Sequence, residues 1–422
     1  MYPSTTRRGL LLAFGASSVG LSGCLDDGPS AGLPSDDADP DHAFEVLVQN
    51  LEIPWDVTAA PTGDLFLTER TGRLLRFDGE ELAAVVEPED AIDAEALDPG
   101  TDESPWWVDG GEGGTLGVTV DPEYPDPAFV YVYYTSEEGV NRVVRFDVDS
   151  GEPGESRAVI VDGIPAETTH NGGRIAFGPD DHLWICTGDA ERLDETRDPG
   201  SLAGKVLRVT TEGEPADDNP DLGSGSDPRV YTLGHRNPQG IDWLPDETPI
   251  LAEHGPSARD EVNVLTPGGD YGWPDARGPP GDDREGPYDE FSEVIPPLVN
   301  TGPTTTWAPS GLCHYGGDAI PAWEGKLLVA GLRSQRLNVV AIGEDPPEVE
   351  GEDVTRYDDG WYYEGINAAS YSALSGELGR IRHVEEGGGE LYAITSNRDG
   401  RTDEDDPFPT DRDDVLVRLT GE

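Results

Sequence analysis

The chain is short of positive charge, and its few cations are almost all arginines. Two of its 28 cationic residues are lysines, Lys205 and Lys326, against 86 acidic residues, so the formal net charge is -58. Such a charge repels phosphate backbones and makes nucleic acid a poor partner. It also destabilises a compact state in dilute salt, whereas molar salt shortens the screening length to about 3 Å. We therefore predict a protein adapted to high salt; an acidic surface for a cationic partner is the alternative.

Cysteine is also scarce. Three cysteines without a CxxC pair exclude a disulfide framework and a cysteine metal site. Cys186 and Cys313 each lie in or next to an apolar run typical of a strand, so we expect both to be buried thiols. The sequence alone does not show whether a disulfide joins them.

The third cysteine, Cys24, belongs to an N-terminal targeting pattern. Thr6-Arg7-Arg8-Gly9-Leu10-Leu11 has the twin-arginine pattern, and a short apolar run then ends in Leu21-Ser22-Gly23-Cys24, as in a lipobox. We predict that residues 1–23 are a twin-arginine lipoprotein signal peptide and that residues 24–43 are an acidic flexible tether. A lipidated Cys24 would then be the only membrane contact, on the outer face of the cytoplasmic membrane. An uncleaved anchor is the alternative, although the run is short for a membrane span.

Helical periodicity is nearly absent, whereas glycine (54) and proline (37) are abundant. The chain therefore reads as all-β. A turn followed by a short strand recurs six times: 64–67, 129–132, 182–185, 248–251, 326–329 and 390–393. A second strand often follows, as at 73–77, 142–146, 205–209 and 415–419. This repeat predicts a six-bladed β-propeller of four-stranded antiparallel blades over residues 44–422, with a β-sandwich as the alternative.

Acidic runs interrupt the repeat at 87–103 and 402–414. Runs of like charge are usually solvated, so we expect both to be surface loops. Binding of several cations to them is the alternative.

A histidine stands at a position suited to acid–base chemistry. His170 opens the turn His170-Asn171-Gly172-Gly173-Arg174, and a strand at 183–187 is followed by Gly188-Asp189. A histidine in such a turn can act as a general base, and Asp189 could reach its other ring nitrogen. A turn histidine that caps backbone groups is the alternative.

Three loops rich in glycine and proline follow, at 234–240, 253–256 and 268–274, and such loops often carry chemistry on a rigid scaffold. Arg380 and Arg382 alternate along a strand, so they suit a planar polyanion, although pairing with surface carboxylates is equally open. Glu261 and Tyr271 bracket the turn at 268–269, where oxygen ligands would suit calcium. A hydrogen-bonded turn is the alternative.

Taken in order, these motifs resemble those of the soluble quinoprotein sugar dehydrogenases, which include soluble glucose dehydrogenase and the aldose sugar dehydrogenases. The similarity runs from about residue 51 to residue 419. The resemblance implies a six-bladed β-propeller that binds pyrroloquinoline quinone (PQQ) and calcium. It also implies oxidation of aldose sugars at C1 to the lactone, with electrons passed to an external acceptor.

The resemblance implies a role for each matching residue. His170 would be the general base, Asp189 would orient it, and Arg236 would stabilise negative charge at the quinone oxygens. The cofactor contacts would be Glu112, Asn237, Thr306, Arg333, Arg380 and Arg382. The carbonyls of Gly255 and Pro256 would hold the calcium at the quinone, and Glu261 and Tyr271 match a further calcium site in some members.

The chain departs from glucose dehydrogenase at two of these positions and at the residue before His170. Glu112 stands where that enzyme has an amide, Arg333 where it has a lysine, and Thr169 where it has an acid before the histidine. These departures leave the sugar open and favour the broader aldose dehydrogenases. A calcium-dependent propeller lactonase and a non-catalytic sugar-binding propeller are the alternatives; a lactonase has no need for so many arginines in one pocket. The oligomeric state is not predicted.

Overall fold

The computed structural model describes residues 43–92, 111–281, 286–349, 353–402 and 405–421 of the chain. The predicted signal peptide, Cys24 and nearly all of the predicted tether lie outside these residues. The helical segments within the described ranges are single turns of 3-10 helix, at Pro153–Ser156, Leu193–Glu195, Tyr288–Glu290 and Pro321–Trp323. In the same ranges, no helix has the length and apolar character needed to cross a membrane.

The described strands form six antiparallel sheets, which we call blades 1 to 6. The strands are β1 (Ala43–Val48) of blade 6; β2 (Pro54–Ala59), β3 (Leu65–Glu69), β4 (Arg73–Phe77) and β5 (Leu82–Val86) of blade 1; β6 (Thr115–Val120), β7 (Phe129–Thr135), β8 (Val140–Asp147) and β9 (Ala158–Pro165) of blade 2; β10 (Gly172–Phe177), β11 (Leu183–Thr187), β12 (Lys205–Val209) and β13 (Val230–Leu233) of blade 3; β14 (Pro238–Trp243), β15 (Pro249–Glu253), β16 (Glu261–Val264) and β17 (Val299–Asn300) of blade 4; β18 (Pro309–Tyr315), β19 (Lys326–Gly331), β20 (Arg336–Gly343), β21 (Thr355–Tyr357) and β22 (Asn367–Ala373) of blade 5; β23 (Ile381–Gly387), β24 (Glu390–Thr395) and β25 (Leu416–Thr420) of blade 6.

The blades form a ring, because the first strand of each blade contacts the first strand of the next. The hydrophobic core is divided among the six seams between neighbouring blades. In the seam between blades 2 and 3, for example, the buried side chains of Leu116, Tyr133 and Ile185 belong to one cluster. The predicted six-bladed propeller is therefore confirmed.

Two blades depart from a simple up-and-down order. Blade 6 takes its outermost strand from the start of the chain, since β1 pairs with β25 and Ala43 lies opposite Thr420. Blade 5 has a fifth strand, β21, which pairs with the outer strand β22. The other five blades have the predicted four strands.

The repeat found in the sequence corresponds to the middle of each blade. The six recurring strands lie in β3, β7, β11, β15, β19 and β24, which are the second strands, and the follow-on strands lie in β4, β8, β12 and β25. These strands are buried on both faces and are apolar, so they stand out in the sequence. The innermost strands carry glycine and polar residues instead and are much less visible.

Glycine is required in the innermost strands because the blades crowd together at the axis. A Cβ added to Gly117 would lie 2.2 Å from the carbonyl oxygen of Gly173 in the next blade. A Cβ added to Gly240 would lie 2.4 Å from the carbonyl oxygen of Ser310. These strands can approach one another only because those side chains are missing.

Each innermost strand also contains one extra residue near its start, seen as a register shift against the second strand. Trp55, Gln239 and Arg382 occupy three of these bulges. The Arg382 Nη1 donates to Gln239 Oε1 (3.2 Å), and the guanidinium carbons of Arg382 and Arg174 lie 5.9 and 4.5 Å from the Trp55 ring. The bulges therefore turn side chains from different blades toward one another at the axis.

Carboxylates on the innermost strands link neighbouring blades. Asp56 accepts the amide of Val118 in blade 2 (2.9 Å), and Glu385 accepts the amide of Ala59 in blade 1 (3.0 Å). Asp242 links blade 4 to blade 5 in the same way. Burial raises the pKa of Asp56 and Asp242 to about 6 and that of Glu385 to about 8, although the backbone hydrogen bonds that form these links act in the opposite direction.

The acidic run at 402–414 is not simply a solvated loop. Asp413 and Asp414 are buried, and Asn397 donates its side-chain amide to Asp413 (2.9 Å) and its backbone amide to Asp414 (2.5 Å). The prediction of a surface loop is wrong for these two residues, because they anchor the turn after β24. The run at 87–103 lies partly outside the described residues; within them, Asp90 accepts hydrogen bonds from Arg142 and Arg157.

Cys186 and Cys313 are free and buried, in different core clusters. The disulfide that the sequence left open is not formed. Burial raises the pKa of both thiols, so neither is poised as a thiolate.

Candidate active site

His170 lies in the turn that precedes β10 and has a positive φ of 58°. Its Nδ1 is 2.8 Å from Asp189 Oδ1, and its Nε2 is 2.7 Å from Arg236 Nη2. An arginine can only donate, so Nε2 accepts this hydrogen bond and Nδ1 carries the proton. His170 is therefore a neutral imidazole whose Nε2 lone pair faces Arg236.

Asp189 lies two residues beyond β11 and is fully buried. Its Oδ1 accepts the Glu191 amide (2.9 Å) as well as His170 Nδ1, and its Oδ2 accepts the indole N–H of Trp273 (2.8 Å). Three donors on one carboxylate stabilise the anion and fix its direction. Asp189 is thereby held in place to orient His170.

The loop 234–240 is shaped by a glycine and a buried carboxylate. Gly234 has a φ of 78°, and a Cβ there would lie 2.5 Å from Asp270 Oδ1, so only glycine fits. Glu253, at the end of β15, binds His235 Nδ1 with Oε1 (2.9 Å) and the Arg236 amide with Oε2 (2.8 Å). The loop backbone is thus fixed, and the Arg236 side chain is directed toward His170.

The Arg236 guanidinium is nearly enclosed. Besides His170 Nε2, it contacts the carbonyl oxygen of His254 through Nη1 (3.4 Å), and it lies 5.4 Å from the Trp273 ring centroid. Burial lowers the pKa of Arg236, while the charge of Asp189 acts in the opposite direction. A desolvated guanidinium next to a base can stabilise charge that forms there.

Glu112 connects three parts of the site. Its Oε2 accepts the His170 amide (2.9 Å) and the Asn237 side-chain amide (3.3 Å), and its Oε1 pairs with Arg401 Nη1 (3.0 Å). Burial alone would raise the pKa of Glu112, but the charge of Arg401 and the hydrogen bond from the His170 amide outweigh it and lower the pKa to about 2. Asn237 Oδ1 in turn accepts the Gly172 amide (3.0 Å), which ties the turn of His170 to the loop 234–240.

Arg380 and Arg382 converge on one buried carboxylate, Asp399. The Nη2 atoms of Arg380 and Arg382 lie 2.7 and 3.6 Å from Asp399 Oδ2. Arg380 also donates to the carbonyl oxygens of Ser396 and Leu332 (both 3.2 Å), so it is held by the protein itself. Burial lowers the pKa of Arg382 to about 9, which marks a guanidinium whose charge is incompletely compensated.

A further arginine, Arg70, binds the backbone on both sides of Glu112 in sequence. Arg70 Nη2 donates to the Gly111 carbonyl (2.6 Å) and Arg70 Nε to the Gly113 carbonyl (3.1 Å). Burial lowers the pKa of Arg70 to about 10, although Asp399 opposes the shift. Four guanidinium groups and two carboxylates therefore share this side of the site: Arg70, Arg380, Arg382 and Arg401 with Glu112 and Asp399.

Thr306 and Arg333 meet at Trp307. Asp260 Oδ2 accepts the Thr306 hydroxyl (2.8 Å) and the Trp307 amide (2.6 Å), while Asp260 Oδ1 accepts the Gly255 amide (2.9 Å). The Arg333 amide donates to the Trp307 carbonyl (3.0 Å), and the Arg333 side chain is exposed. Asp260 thereby joins the loop of Thr306 to the loop 253–256.

The four residues predicted to bind calcium line one cavity of about 20 Å³ together with Glu253: Gly255, Pro256, Glu261 and Tyr271. Glu261 Oε1 accepts the Tyr288 hydroxyl (2.7 Å) and the Asn300 amide (3.0 Å). Burial and the charge of Glu253 raise the pKa of Glu261 to about 8. Among the described residues, no group of three or more His, Cys, Asp or Glu side chains is arranged to hold a metal. Two buried carboxylates beside backbone carbonyls are nevertheless hard oxygen donors of the kind calcium prefers.

Residues 51–404 match the family described as Glucose / Sorbosone dehydrogenase. The chain belongs to this family. It is similar to the PQQ-bound form of aldose sugar dehydrogenase from Streptomyces coelicolor, with 32% identity, a TM-score of 0.69 and coverage of 91% of this chain and 99% of the other. It is 28% identical over 375 residues to aldose sugar dehydrogenase YliI from Escherichia coli (strain K12), covering 84% of this chain and 90% of that protein.

A further relative is quinoprotein glucose dehydrogenase B from Acinetobacter calcoaceticus, which is 29% identical over 267 residues. That match covers 56% of this chain and 52% of the relative. The glucose/sorbosone dehydrogenase family thus agrees with the resemblance carried by the sequence motifs, and it does not favour the lactonase alternative.

In this glucose/sorbosone dehydrogenase family member, the site fits a planar polyanion such as PQQ. Arg236 Nε, His254 Nε2 and Arg382 Nε are shielded from solvent and have no hydrogen-bond partner within the described part of the chain. Burial lowers the pKa of His254 to about 3, so its ring is neutral. On the side of the site formed by Arg70, Arg380, Arg382 and Arg401, guanidinium groups also outnumber carboxylates, in a chain whose net charge is -58. Carboxylates of a bound anion would satisfy these groups bidentately.

The structure brings five of the thirteen predicted site residues into one hydrogen-bonded network and the other eight into neighbouring groups. The hydrogen bonds above join Glu112, His170, Asp189, Arg236 and Asn237 directly. Arg380 and Arg382 meet at Asp399, and Thr306 and Arg333 meet at Trp307. The predicted calcium residues share a small cavity that Arg236 also lines.

Sequence reasoning missed several members of the network: Arg70, Trp273, Asp399 and Arg401. A topological signal could have found some of them, because the start of the first strand and the end of the second strand of an antiparallel hairpin lie at the same edge. Arg70 and Asp399 follow second strands, as Asp189 does, whereas His170 precedes a first strand. Trp273 lies in the loop 268–274, which the sequence did single out, but the sequence predicted no role for its indole.

Proposed function

We propose that the protein is a PQQ-dependent aldose dehydrogenase that oxidises the C1 hydroxyl of an aldose and forms the lactone. The observation that carries the proposal is the Nε2 lone pair of His170, fixed between Asp189 and Arg236. A neutral imidazole with a defined tautomer can accept a hydroxyl proton at neutral pH.

The proton would move from the C1 hydroxyl to His170 Nε2. Asp189 would keep the other ring proton on Nδ1 and stabilise the imidazolium that results. Arg236 now donates to Nε2, so substrate binding must replace this hydrogen bond; the guanidinium then remains beside the reacting oxygens and stabilises negative charge. PQQ, when bound, supplies the quinone that accepts the hydride.

The chain's arginines would hold the cofactor. The guanidinium groups of Arg382 and Arg401 lie in the same region as that of Arg70. Further polar contacts to the cofactor would come from Asn237, Thr306 and Arg333. Arg380 is already bound to Ser396, Leu332 and Asp399, so its larger role is to position this side of the site.

Calcium would be bound by the small oxygen-lined cavity. The carbonyls of Gly255 and Pro256 would face the cofactor, and Glu261 with Tyr271 would contribute from the buried side. A divalent cation would offset the repulsion between Glu253 and Glu261 that raises the pKa of Glu261.

The sugar is bound at a rim that differs from that of glucose dehydrogenase in the residue before His170. The Thr169 hydroxyl donates to Glu191 Oε1 (2.8 Å), so an exposed carboxylate still lies beside the base, although it comes from another loop. Aldoses would use this carboxylate as a hydroxyl acceptor, and electrons would pass to an external acceptor.

We further propose that the enzyme works outside the cytoplasm in high salt. The twin-arginine pattern and Cys24 support export and a lipid anchor on the outer face of the cytoplasmic membrane, and the net charge of -58 supports adaptation to salt. Salt dependence of the folded state is a prediction of this proposal.

The test adds PQQ and Ca²⁺ to the purified apoprotein in molar KCl and follows reduction of an artificial dye with a panel of aldoses. We expect dye reduction that needs both the quinone and an aldose. The His170→Ala variant should still bind PQQ, measured by calorimetry, but lose turnover. His182→Ala is the matched control, since His182 lies at the start of β11 and pairs with Asp180 outside the site. Absence of quinone binding, or equal turnover in His170→Ala, would contradict the proposal.

A further inference from the structure

His254 belongs to the motif 253–256. Roles are assigned above to Glu253, Gly255 and Pro256, but none to the imidazole of His254. This residue follows β15 directly, and its backbone is bound by two adjacent residues of the loop 234–240. The His254 amide donates to the Asn237 carbonyl (3.2 Å), and the His254 carbonyl accepts Arg236 Nη1 (3.4 Å). The ring is therefore placed by the same loop that places Arg236 and Asn237.

The imidazole has charged neighbours. Glu112, Arg236 and Arg382 are all close enough to act on it electrostatically. Its Nε2 is nevertheless shielded from solvent and makes no hydrogen bond with any described residue. A buried polar atom without a partner costs about 1–3 kcal/mol. Such atoms are rare in native proteins, and they call for a ligand or a bound water.

An imidazole nitrogen offers what the surrounding groups do not. Arginine can only donate and a carboxylate can only accept, whereas an imidazole nitrogen donates or accepts according to the tautomer. The ring can therefore contact a carbonyl, a carboxylate or a ring N–H of an aromatic ligand. His254 shares the neighbours Glu112 and Arg236 with His170 and also lies near Arg382, so a ligand reaching it would lie along the arginine side of the site.

We propose that His254 is a cofactor-contacting residue whose Nε2 makes a hydrogen bond to PQQ, an inference that rests on the proposed function. It assigns to His254 a role in binding and orienting the cofactor. The role is separate from the proton transfer of His170.

The first test observes the histidine directly. The chain has seven histidines, so protein labelled with ¹⁵N-histidine gives a countable set of ring nitrogens by NMR. The His254 signals are assigned from the His254→Gln variant. Addition of PQQ in molar KCl should shift the Nε2 resonance of His254, whereas the His182 signals stay in place. An unmoved Nε2 resonance in PQQ-bound protein would overturn the proposal and leave a bound water as the partner of Nε2.

The second test measures PQQ affinity by calorimetry. Loss of a hydrogen bond to a charged ligand should raise the Kd of His254→Leu about 10- to 100-fold, whereas His254→Gln keeps a polar group and should lose less. Equal affinities in wild type and both variants would refute the role of His254. If His254→Leu does not fold, the PQQ affinity of His254→Gln and the NMR shift of the wild type still test whether His254 binds PQQ.

The two proposals fail in different ways. A wild-type protein that binds no PQQ overturns the proposed function and, with it, the role of His254. A wild-type protein that binds PQQ and oxidises aldoses, with variants of unchanged affinity, overturns the role of His254 alone. His182→Gln serves as the matched histidine control in both experiments, because its partner Asp180 is remote from the site's network.

Discussion

Replacement of Asp189 by asparagine should damage the site through a mismatch of donors. Asp189 receives three hydrogen bonds on two oxygens, from His170 Nδ1, the Glu191 amide and the Trp273 indole. An asparagine has one acceptor oxygen and one donor NH₂. Whichever way the amide turns, its NH₂ must face a group that also donates.

Each orientation has a distinct consequence. If the NH₂ faces Trp273, two buried donors oppose each other, which costs about 1–3 kcal/mol of stability. If the NH₂ faces His170, Nδ1 must become the acceptor and the ring proton moves to Nε2. That proton would then meet Arg236 Nη2, now 2.7 Å away, and the base would be lost.

The expected loss in kcat is large. In a comparable triad, replacing the carboxylate by an amide costs about 10⁴-fold because the tautomer is wrong. We expect a loss of about 10³- to 10⁴-fold in Asp189→Asn, with a PQQ Kd close to wild type, since the arginines around Asp399 are untouched. The fall in the free energy of unfolding should be about 1–3 kcal/mol.

Dye-linked steady-state assays in molar KCl, PQQ titration and urea unfolding measure these three quantities. Asp246→Asn is the matched control, because Asp246 is exposed and only caps the Thr248 amide. A turnover within a few-fold of wild type, with the variant folded, would refute the role of Asp189 in fixing the tautomer of His170.

Three further predictions concern stability. Burial raises the pKa of Glu385 from 4.5 to about 8, so between these pH values the folded state keeps a proton that the unfolded chain has lost. The free energy of unfolding should therefore fall as pH rises through this range. Urea titrations should show a weaker dependence of stability on pH in Glu385→Gln. Gly240→Ala should lower the free energy of unfolding by about 1–3 kcal/mol, because its Cβ would meet the Ser310 carbonyl. Gly151→Ala is the control, since a Cβ there has open space. Equal losses of stability in the two variants would contradict the crowding of the innermost strands at the axis. The melting temperature should rise between about 0.1 M and about 1 M KCl as the charge of -58 is screened, and a fall would contradict adaptation to salt.

The sequence revealed the fold because the middle strands of each blade are buried on both faces. Segments such as 326–329 and 390–393 are short apolar runs between turns, and they recur once per blade. The innermost strands escaped notice because the axis demands glycine and polar bulge residues such as Gln239 and Arg382. The fifth strand of blade 5 is only three residues long, so it carried no periodic signal.

The site could be predicted in part for a related reason. His170, Arg236 and Asn237 lie in distinctive glycine-rich loops, so their chemistry was visible along the chain. Arg401 and Asp399 lie in an acidic, aspartate-rich stretch where single residues do not stand out. Only the closed ring brings Arg401 against Glu112, which is 289 residues away in sequence, whereas Asp399 meets Arg382 within blade 6.

The pairing of β1 with β25 sets the timing of folding. Ala43 lies opposite Thr420, so blade 6 cannot be completed until the last strand has left the ribosome. Contacts between such distant segments are slow to form, because a long loop must close first. Until then β24 and β1 both present unpaired edges, and β1 begins where the predicted tether ends. The twin-arginine route, by which we propose that the chain is exported, carries folded proteins, so ring closure would have to precede export.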